Sequence, residues 1–275
     1  MPICSICPRH CRLHEGQVGF CKARACINGK VIPINYGKIT SIALDPIEKK
    51  PLYHFYPGSK ILSVGSFGCN LRCPFCQNYQ ISMAGINDID VQNISPQELT
   101  NLALKLAQEP AGNIGVAFTY NEPFIGYEFV RDCCTLLHQV GLKTVLVTNG
   151  QINLPPLLDL LPLVDAMNID LKGFSQEYYD YVGGNLECVK QTIATAYDKC
   201  HIEVTTLVVP TKNDSLEAME QEAMWLASLS PEIPLHLSRY FPRYKSQIAT
   251  TPIETLRALQ QTAQKYLKHV YIGNC

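Results

Sequence analysis

The sequence predicts an α/β fold: a partial (β/α)6 TIM-type barrel over residues 60–275, preceded by a small Cys-rich segment over residues 1–59. Three observations carry this. From Lys60 onward, strand-sized apolar runs alternate with helical patterns six times, which implies a parallel sheet with helical crossovers. Residues 1–59 are instead punctuated by Cys, Gly and Pro and read as irregular. The longest apolar runs are strand-sized, so nothing reads as a span of a bilayer.

The elements follow in order. The first segment offers at most two short strands, near 31–35 and 39–43. Strands are expected at 61–67, 114–120, 143–148, 165–171, 201–209 and 234–240, with a short terminal one at 269–272. Helices are expected at 95–109, 124–140, 154–161, 185–199, 215–229 and 252–267. Ser95-Pro96-Gln97-Glu98 and Thr251-Pro252-Ile253-Glu254 each read as a cap, a first-turn proline and a glutamate in capping-box order. After the second, Ile253, Leu256, Leu259, Ala263 and Leu267 recur at helical spacing and build one apolar face.

With 275 residues, the chain suits one large domain plus a small appendage. A formal net charge of -1 gives no basic excess for a nucleic-acid partner. The opening Met1-Pro2-Ile3-Cys4 has no charged region followed by an apolar stretch, so a cytoplasmic location without membrane attachment is expected. The 13 cysteines, an odd count concentrated in two windows, read as metal ligands rather than disulfides.

The second window is the more informative. Cys69, Cys73 and Cys76 stand at Cys-x3-Cys-x2-Cys spacing, with the aromatic Phe75 just before the last. Three thiolates so close can hold three corners of a cubic iron–sulfur cluster and leave the fourth iron open to another ligand. The alternative is a zinc site borrowing a fourth ligand from elsewhere.

Strand alternation points the same way. Asn168, Asp170 and Lys172 share one face of their strand; His201, Glu203 and Thr205 share another; His236, Ser238 and Tyr240 a third. The outer faces must pack on helices, so these polar sets are expected in the barrel lumen, where a polar cofactor or a self-satisfied network would explain them. Tyr120-Asn121-Glu122-Pro123, Thr148-Asn149-Gly150 and Asp170-Leu171-Lys172 all fall at carboxyl ends of strands, the face on which barrel enzymes build their sites.

With these residues in place, residues 60–272 resemble the radical S-adenosylmethionine (SAM) superfamily, in its pyruvate formate-lyase activating-enzyme-like branch. The resemblance implies a 4Fe–4S cluster on Cys69, Cys73 and Cys76, with SAM chelating the open iron. It implies that Glu122 contacts the methionyl amino group, although Tyr120-Asn121 replaces the more usual Gly-Gly before it. Asp170 and Lys172 look like the family's Asp-x-Lys element, which holds the SAM ribose and carboxylate. Phe75, Tyr120, Asn121, Thr148, Asn149 and His236 complete the implied cofactor surroundings.

A closer match is to the AmmeMemoRadiSam-system enzymes. It rests on Cys7 to Cys11, Gly19-Phe20-Cys21, the block from Asp45 to Gly58, Gly68 to Ser82, and Tyr271 to Asn274. The implied activity is reductive cleavage of SAM to a 5′-deoxyadenosyl radical that abstracts hydrogen from a small-molecule, peptide or protein substrate. The implied electron donor is a flavodoxin or ferredoxin. Activation of a glycyl-radical enzyme ranks second, since no Asp-Gly-Pro-Gly segment precedes the cluster motif and no ferredoxin-like insertion follows it. An iron–sulfur or zinc protein without SAM chemistry is the third reading.

Cys4, Cys7, Cys11 and Cys21 form Cys-x2-Cys-x3-Cys-x9-Cys, with Cys26 to spare, and are expected to bind a second 4Fe–4S cluster or zinc. Cys133, Cys134, Cys188 and Cys200 fall in helical patterns and read as apolar filler. Residues 47–56, with Tyr53, His54, Phe55 and Tyr56, read either as a solvated turn or as a lid or substrate wall.

Overall fold

The structure, a computed structural model, describes residues 1–275. It begins with a hairpin of β1 (Arg24–Ile27) and β2 (Lys30–Pro33), then β3 (Lys38–Ile39) and β4 (Ser41–Pro46). β5 (Lys60–Gly65) opens the barrel and is followed by the short helix α1 (Tyr79–Ser82) and by β6 (Gln92–Asn93), which pairs with β3. Strand and helix then alternate: α2 (Pro96–Ala107), β7 (Gly115–Phe118), α3 (Tyr127–Gln139), β8 (Lys143–Thr148), α4 (Leu154–Leu160) and β9 (Ala166–Asp170). The chain ends with α5 (Gln176–Val182), α6 (Leu186–Ala196), β10 (His201–Val208), α7 (Leu216–Leu229), β11 (Leu235–Arg239), α8 (Ile253–Ala263) and β12 (Val270–Gly273).

One sheet runs β12-β11-β10-β9-β8-β7-β5-β4, parallel from β5 to β12 with β4 antiparallel at one edge. Its two edge strands do not pair with each other, so the barrel is partial, as the alternating pattern predicts. The expected barrel strands all form; β8 matches its expected range, and the others differ from theirs by one to three residues in all. No helix is long and apolar enough to cross a membrane.

Local differences from expectation have local reasons. Ser95 forms the expected capping box, its hydroxyl accepting from the Glu98 backbone N–H while Glu98 accepts from that of Ser95. Thr251 does not cap α8: its hydroxyl donates to the Val208 carbonyl at 2.6 Å and accepts from the Tyr240 N–H, a tertiary use of the same group. α5 is additional; its signals, Ser175 as cap and Gly183 in the left-handed region (φ +74°), surround a Tyr-rich run that reads as loop. Residues 41–46 belong to the main sheet, so a division at residue 59/60 cuts through the β4–β5 hairpin.

The barrel floor is the larger revision. Ile47, Leu52 and Phe55 pack under Ile61, Ala117, Val145 and Ala166 and close the amino-terminal end of the lumen. Residues 47–56 are therefore neither a solvated turn nor a lid. Above this apolar layer lies a polar one centred on Glu203, whose side chain is 0 % exposed. Its carboxylate accepts from the backbone N–H groups of Tyr53 (3.0 Å) and His54 (2.8 Å), and from the rings of His201 (2.9 Å) and His236 (2.6 Å). Asn168 donates to the Pro51 carbonyl and accepts from the Thr205 hydroxyl. Burial pushes the Glu203 pKa up, but these hydrogen bonds outweigh it and hold it at about 2.

Glu203→Ala should cost about 3–5 kcal/mol, because it strands two backbone donors and a buried imidazole. The carboxylate is held below its ordinary value, so its contribution is full above about pH 4.5 and disappears as pH falls toward 2. Urea midpoints across that window test both points. A Glu203→Ala chain as stable as wild type would show that the floor is not pinned there.

Candidate active site

The loop after β5 carries Cys69, Cys73 and Cys76, and side chains from distant segments hold its backbone. Asn121 accepts from the Ser66 N–H (2.9 Å) and donates to the carbonyls of Phe67 and Gly68. Arg72 folds back onto the carbonyls of Cys69 and Leu71, both at 2.7 Å, and Asn70 donates to the Gln151 carbonyl. Asn78 ties the loop's far end to the Tyr120 carbonyl at 2.8 Å. The Cys69 N–H donates to the Cys21 carbonyl (3.2 Å), so the loop also rests on the amino-terminal segment. Gly68 permits that approach: its φ is +86°, and a Cβ there would lie 2.4 Å from the Cys21 carbonyl oxygen.

The three cysteines line a cavity of about 270 Å³ at the carboxyl ends of the strands. Facing them are Tyr120, Asn121 and Glu122 after β7, Thr148 and Asn149 at the end of β8, and Asp170 and Lys172 at the end of β9. No other cysteine and no histidine lines it. Burial pushes the Cys73 thiol up to about 12 and raises Cys69 and Cys76 as well. Loading of a metal group must therefore displace their protons. The Cys69 sulfur is within reach of two donors, the Leu71 N–H at 3.3 Å and the Asn149 amide at 3.5 Å.

Glu122 is 3 % exposed, and burial raises its pKa to about 7. It accepts from the Phe124 N–H, the Thr148 hydroxyl and the Asn149 N–H, at 2.9, 2.7 and 2.8 Å. Lys172 pairs with Asp170 at 2.7 Å; burial works against its charge, but Asp170 and the neighbouring thiolates hold its pKa above the ordinary value. Tyr120, at φ +69°, donates its hydroxyl to Asp45, which also pairs with the buried Lys50. Phe75 is buried in the cavity wall.

His236 is the correction. It shares the lumen face with Ser238 but lies two residues lower on β11, where it is committed to Glu203 and stacks edge-on with Tyr53. Ser238 lines the cavity in its place, with Thr205 and Leu207 from β10 and Ser82 and Met83 from the turn after the cysteines. Strand alternation identifies the face for Thr205, Leu207 and Ser238 but not their height. Cys4, Cys7, Cys11 and Cys21 line a second, enclosed cavity, whereas Cys26 lies apart and its thiol is directed at Glu15. Cys133 and Cys134 are buried filler as expected; Cys188 and Cys200 are half-buried.

A partial parallel barrel with a three-cysteine loop over its open end defines an iron–sulfur enzyme. Residues 63–223 match the radical SAM superfamily, and the chain belongs to it. Its cofactors are accordingly a 4Fe–4S cluster and SAM. The chain is 42 % identical over 275 residues to the uncharacterized protein MJ0808 of Methanocaldococcus jannaschii, covering 98 % of this chain and 80 % of that one. It is 28 % identical over 120 residues to the pyruvate formate-lyase 1-activating enzyme of Escherichia coli K12, 42 % of this chain and 47 % of that one. Among solved structures, Streptococcus suis SuiB bound to SAM superposes with a TM-score of 0.60 at 14 % identity, over 75 % of this chain and about half (48 %) of that one.

Gly68→Ala should melt several degrees lower than Gly58→Ala. Both residues have positive φ, +86° and +79°, but a Cβ at Gly58 meets nothing within 4 Å. Equal melting temperatures would show that the approach to Cys21 does not constrain the loop.

Proposed function

We propose that Cys69, Cys73 and Cys76 hold the 4Fe–4S cluster and that the facing wall binds SAM, making the chain a generator of carbon radicals on a substrate admitted at the open end. The observation that carries this is the donor set: three thiolates from one loop, no fourth Cys or His, and an ammonium with two carboxylates across the cavity. When bound, the cluster supplies one electron for carbon–sulfur cleavage of SAM, giving a 5′-deoxyadenosyl radical that abstracts hydrogen.

The protein's own groups bind and orient. Lys172 uses one of its three N–H donors on Asp170 and has two left for the carboxylate of SAM. Asp170, which lines the cavity beside Lys172, would accept from ribose hydroxyls. Glu122 has three of about four acceptor positions filled by protein donors, which leaves one for the methionyl ammonium. That cation would favour the ionised form of a carboxyl whose pKa burial has brought to about 7. Thr148 and Asn149 fix Glu122, Asn121 fixes the cysteine loop, and Tyr120 braces the turn between them through Asp45. Phe75, Leu71, Val147 and Leu207 supply the apolar part of the wall and exclude water.

The electron donor implied by the family resemblance is a flavodoxin or ferredoxin. Activation of a glycyl-radical enzyme is the second reading, supported by the likeness to the E. coli activating enzyme over 120 residues. It requires a protein substrate that retains a stable radical, visible by EPR after mixing.

Anaerobically reconstituted protein with dithionite and SAM should form 5′-deoxyadenosine, and Cys69→Ala should form none; product from that variant would overturn the assignment. Lys172→Met should weaken SAM binding at least tenfold in calorimetry, about 1.4 kcal/mol or more. His236→Gln should change it less than threefold.

A further inference from the structure

We infer that Cys4, Cys7, Cys11 and Cys21 hold a second 4Fe–4S cluster, and that the electron used in the barrel passes through it. The relay half rests on the reading of Cys69, Cys73 and Cys76 given above; the site half does not.

Separate local structures deliver the four thiols to one cavity. The Cys4 N–H donates to the Cys11 carbonyl at 2.9 Å, which sets those two residues on adjacent extended segments. Cys7 begins a turn closed by the His10 N–H, and Cys21 lies in the turn between Gly19 and Arg24. Cys4 and Ile6 pack on the main core, whereas Cys21 joins Ala23, Phe67, Ala84 and Ile125 in a separate apolar cluster, so a shared ligand would tie together turns that are anchored separately. All four cysteines are free thiols.

A second observation points to a ligand. Arg24 lines the same cavity; its terminal nitrogens donate to Glu128 at 2.7 and 2.6 Å, but its buried Nε has no partner. A stranded donor among thiols calls for an acceptor, and the sulfur atoms of a cluster are one. Arg9 also lines the cavity, so two guanidinium groups face the negative charge that four thiolates bring. No three of these side chains gather closely enough for a single metal ion. Tetrahedral zinc with bonds of about 2.3 Å would require that, whereas a cubane spreads its thiolates over four irons.

The relay follows from contact. The Cys69 N–H donates to the Cys21 carbonyl at 3.2 Å, so one hydrogen bond joins a ligand of one cluster to a ligand of the other. A flavodoxin- or ferredoxin-type donor would lose one electron to the second cluster, which passes it to the first. No bond forms or breaks and no proton moves.

The test compares three full-length proteins after anaerobic iron–sulfide reconstitution: wild type, Cys69→Ala/Cys73→Ala/Cys76→Ala, and Cys4→Ser/Cys7→Ser. Iron should be about eight per chain in the wild type and about four in each variant, with a reducible cluster signal by EPR in both. A triple variant that holds no iron, or one zinc, overturns the second cluster, while wild-type 5′-deoxyadenosine formed with dithionite would leave the barrel assignment intact. For the relay, the ratio of flavodoxin-driven to dithionite-driven product should fall at least tenfold in Cys4→Ser/Cys7→Ser; an unchanged ratio overturns it. Reduced flavodoxin should also reduce the cluster of the triple variant, a measurement that does not depend on how the double variant folds. Failure there overturns the relay as well.

Discussion

A partial barrel has an unfilled lumen, and here its amino-terminal half is organised by one buried carboxylate. Glu203 gathers two backbone N–H groups from residues 53 and 54 and two imidazoles from the strand layer. An ionised carboxylate out of water is tolerable only with its acceptor positions filled. Its four donors come from β10, β11 and the segment between β4 and β5. That segment then presents Ile47, Leu52 and Phe55 to the small residues Ala117 and Ala166, and the amino-terminal end of the barrel is filled without branched side chains from every strand.

With the floor fixed, the upper half of the lumen is free to be a site. The polar residues divide by height: Asn168, Glu203 and His236 serve the floor, while Asp170, Thr205 and Ser238 line the cavity. The self-satisfied network and the ligand site, competing explanations for one set of lumen residues, therefore both occur, one above the other. The cysteine loop over the cavity is held through its backbone by amides and a guanidinium, so its position does not depend on the three sulfur atoms.

The amino-terminal segment joins this arrangement through the contact of Gly68 with Cys21. Its four-cysteine cavity lies directly behind the loop that carries the other three thiols. Whatever orders residues 4–21 also sets the surface on which that loop rests, so the two cysteine windows are mechanically coupled. Arg9 strengthens the junction, with its guanidinium over Phe20 and its Nε bonded to the Asn70 carbonyl.

By itself, the sequence determined what depends on short spacings: the three-cysteine loop, the order of strands and helices, the lumen faces of β9, β10 and β11, and the placement of Glu122, Asp170 and Lys172 at strand ends. Each follows from residues within a few positions of one another, where backbone period and ligand spacing suffice. Only the tertiary structure decided how high a lumen residue sits, and so separated His236 from Ser238. It alone brought residues 53 and 54 to Glu203, Cys21 to Cys69, and Thr251 to Val208 instead of its own helix. Those outcomes depend on strand register and on contacts across tens to more than a hundred residues. Side-chain alternation is blind to both, because it repeats identically at every height along a strand.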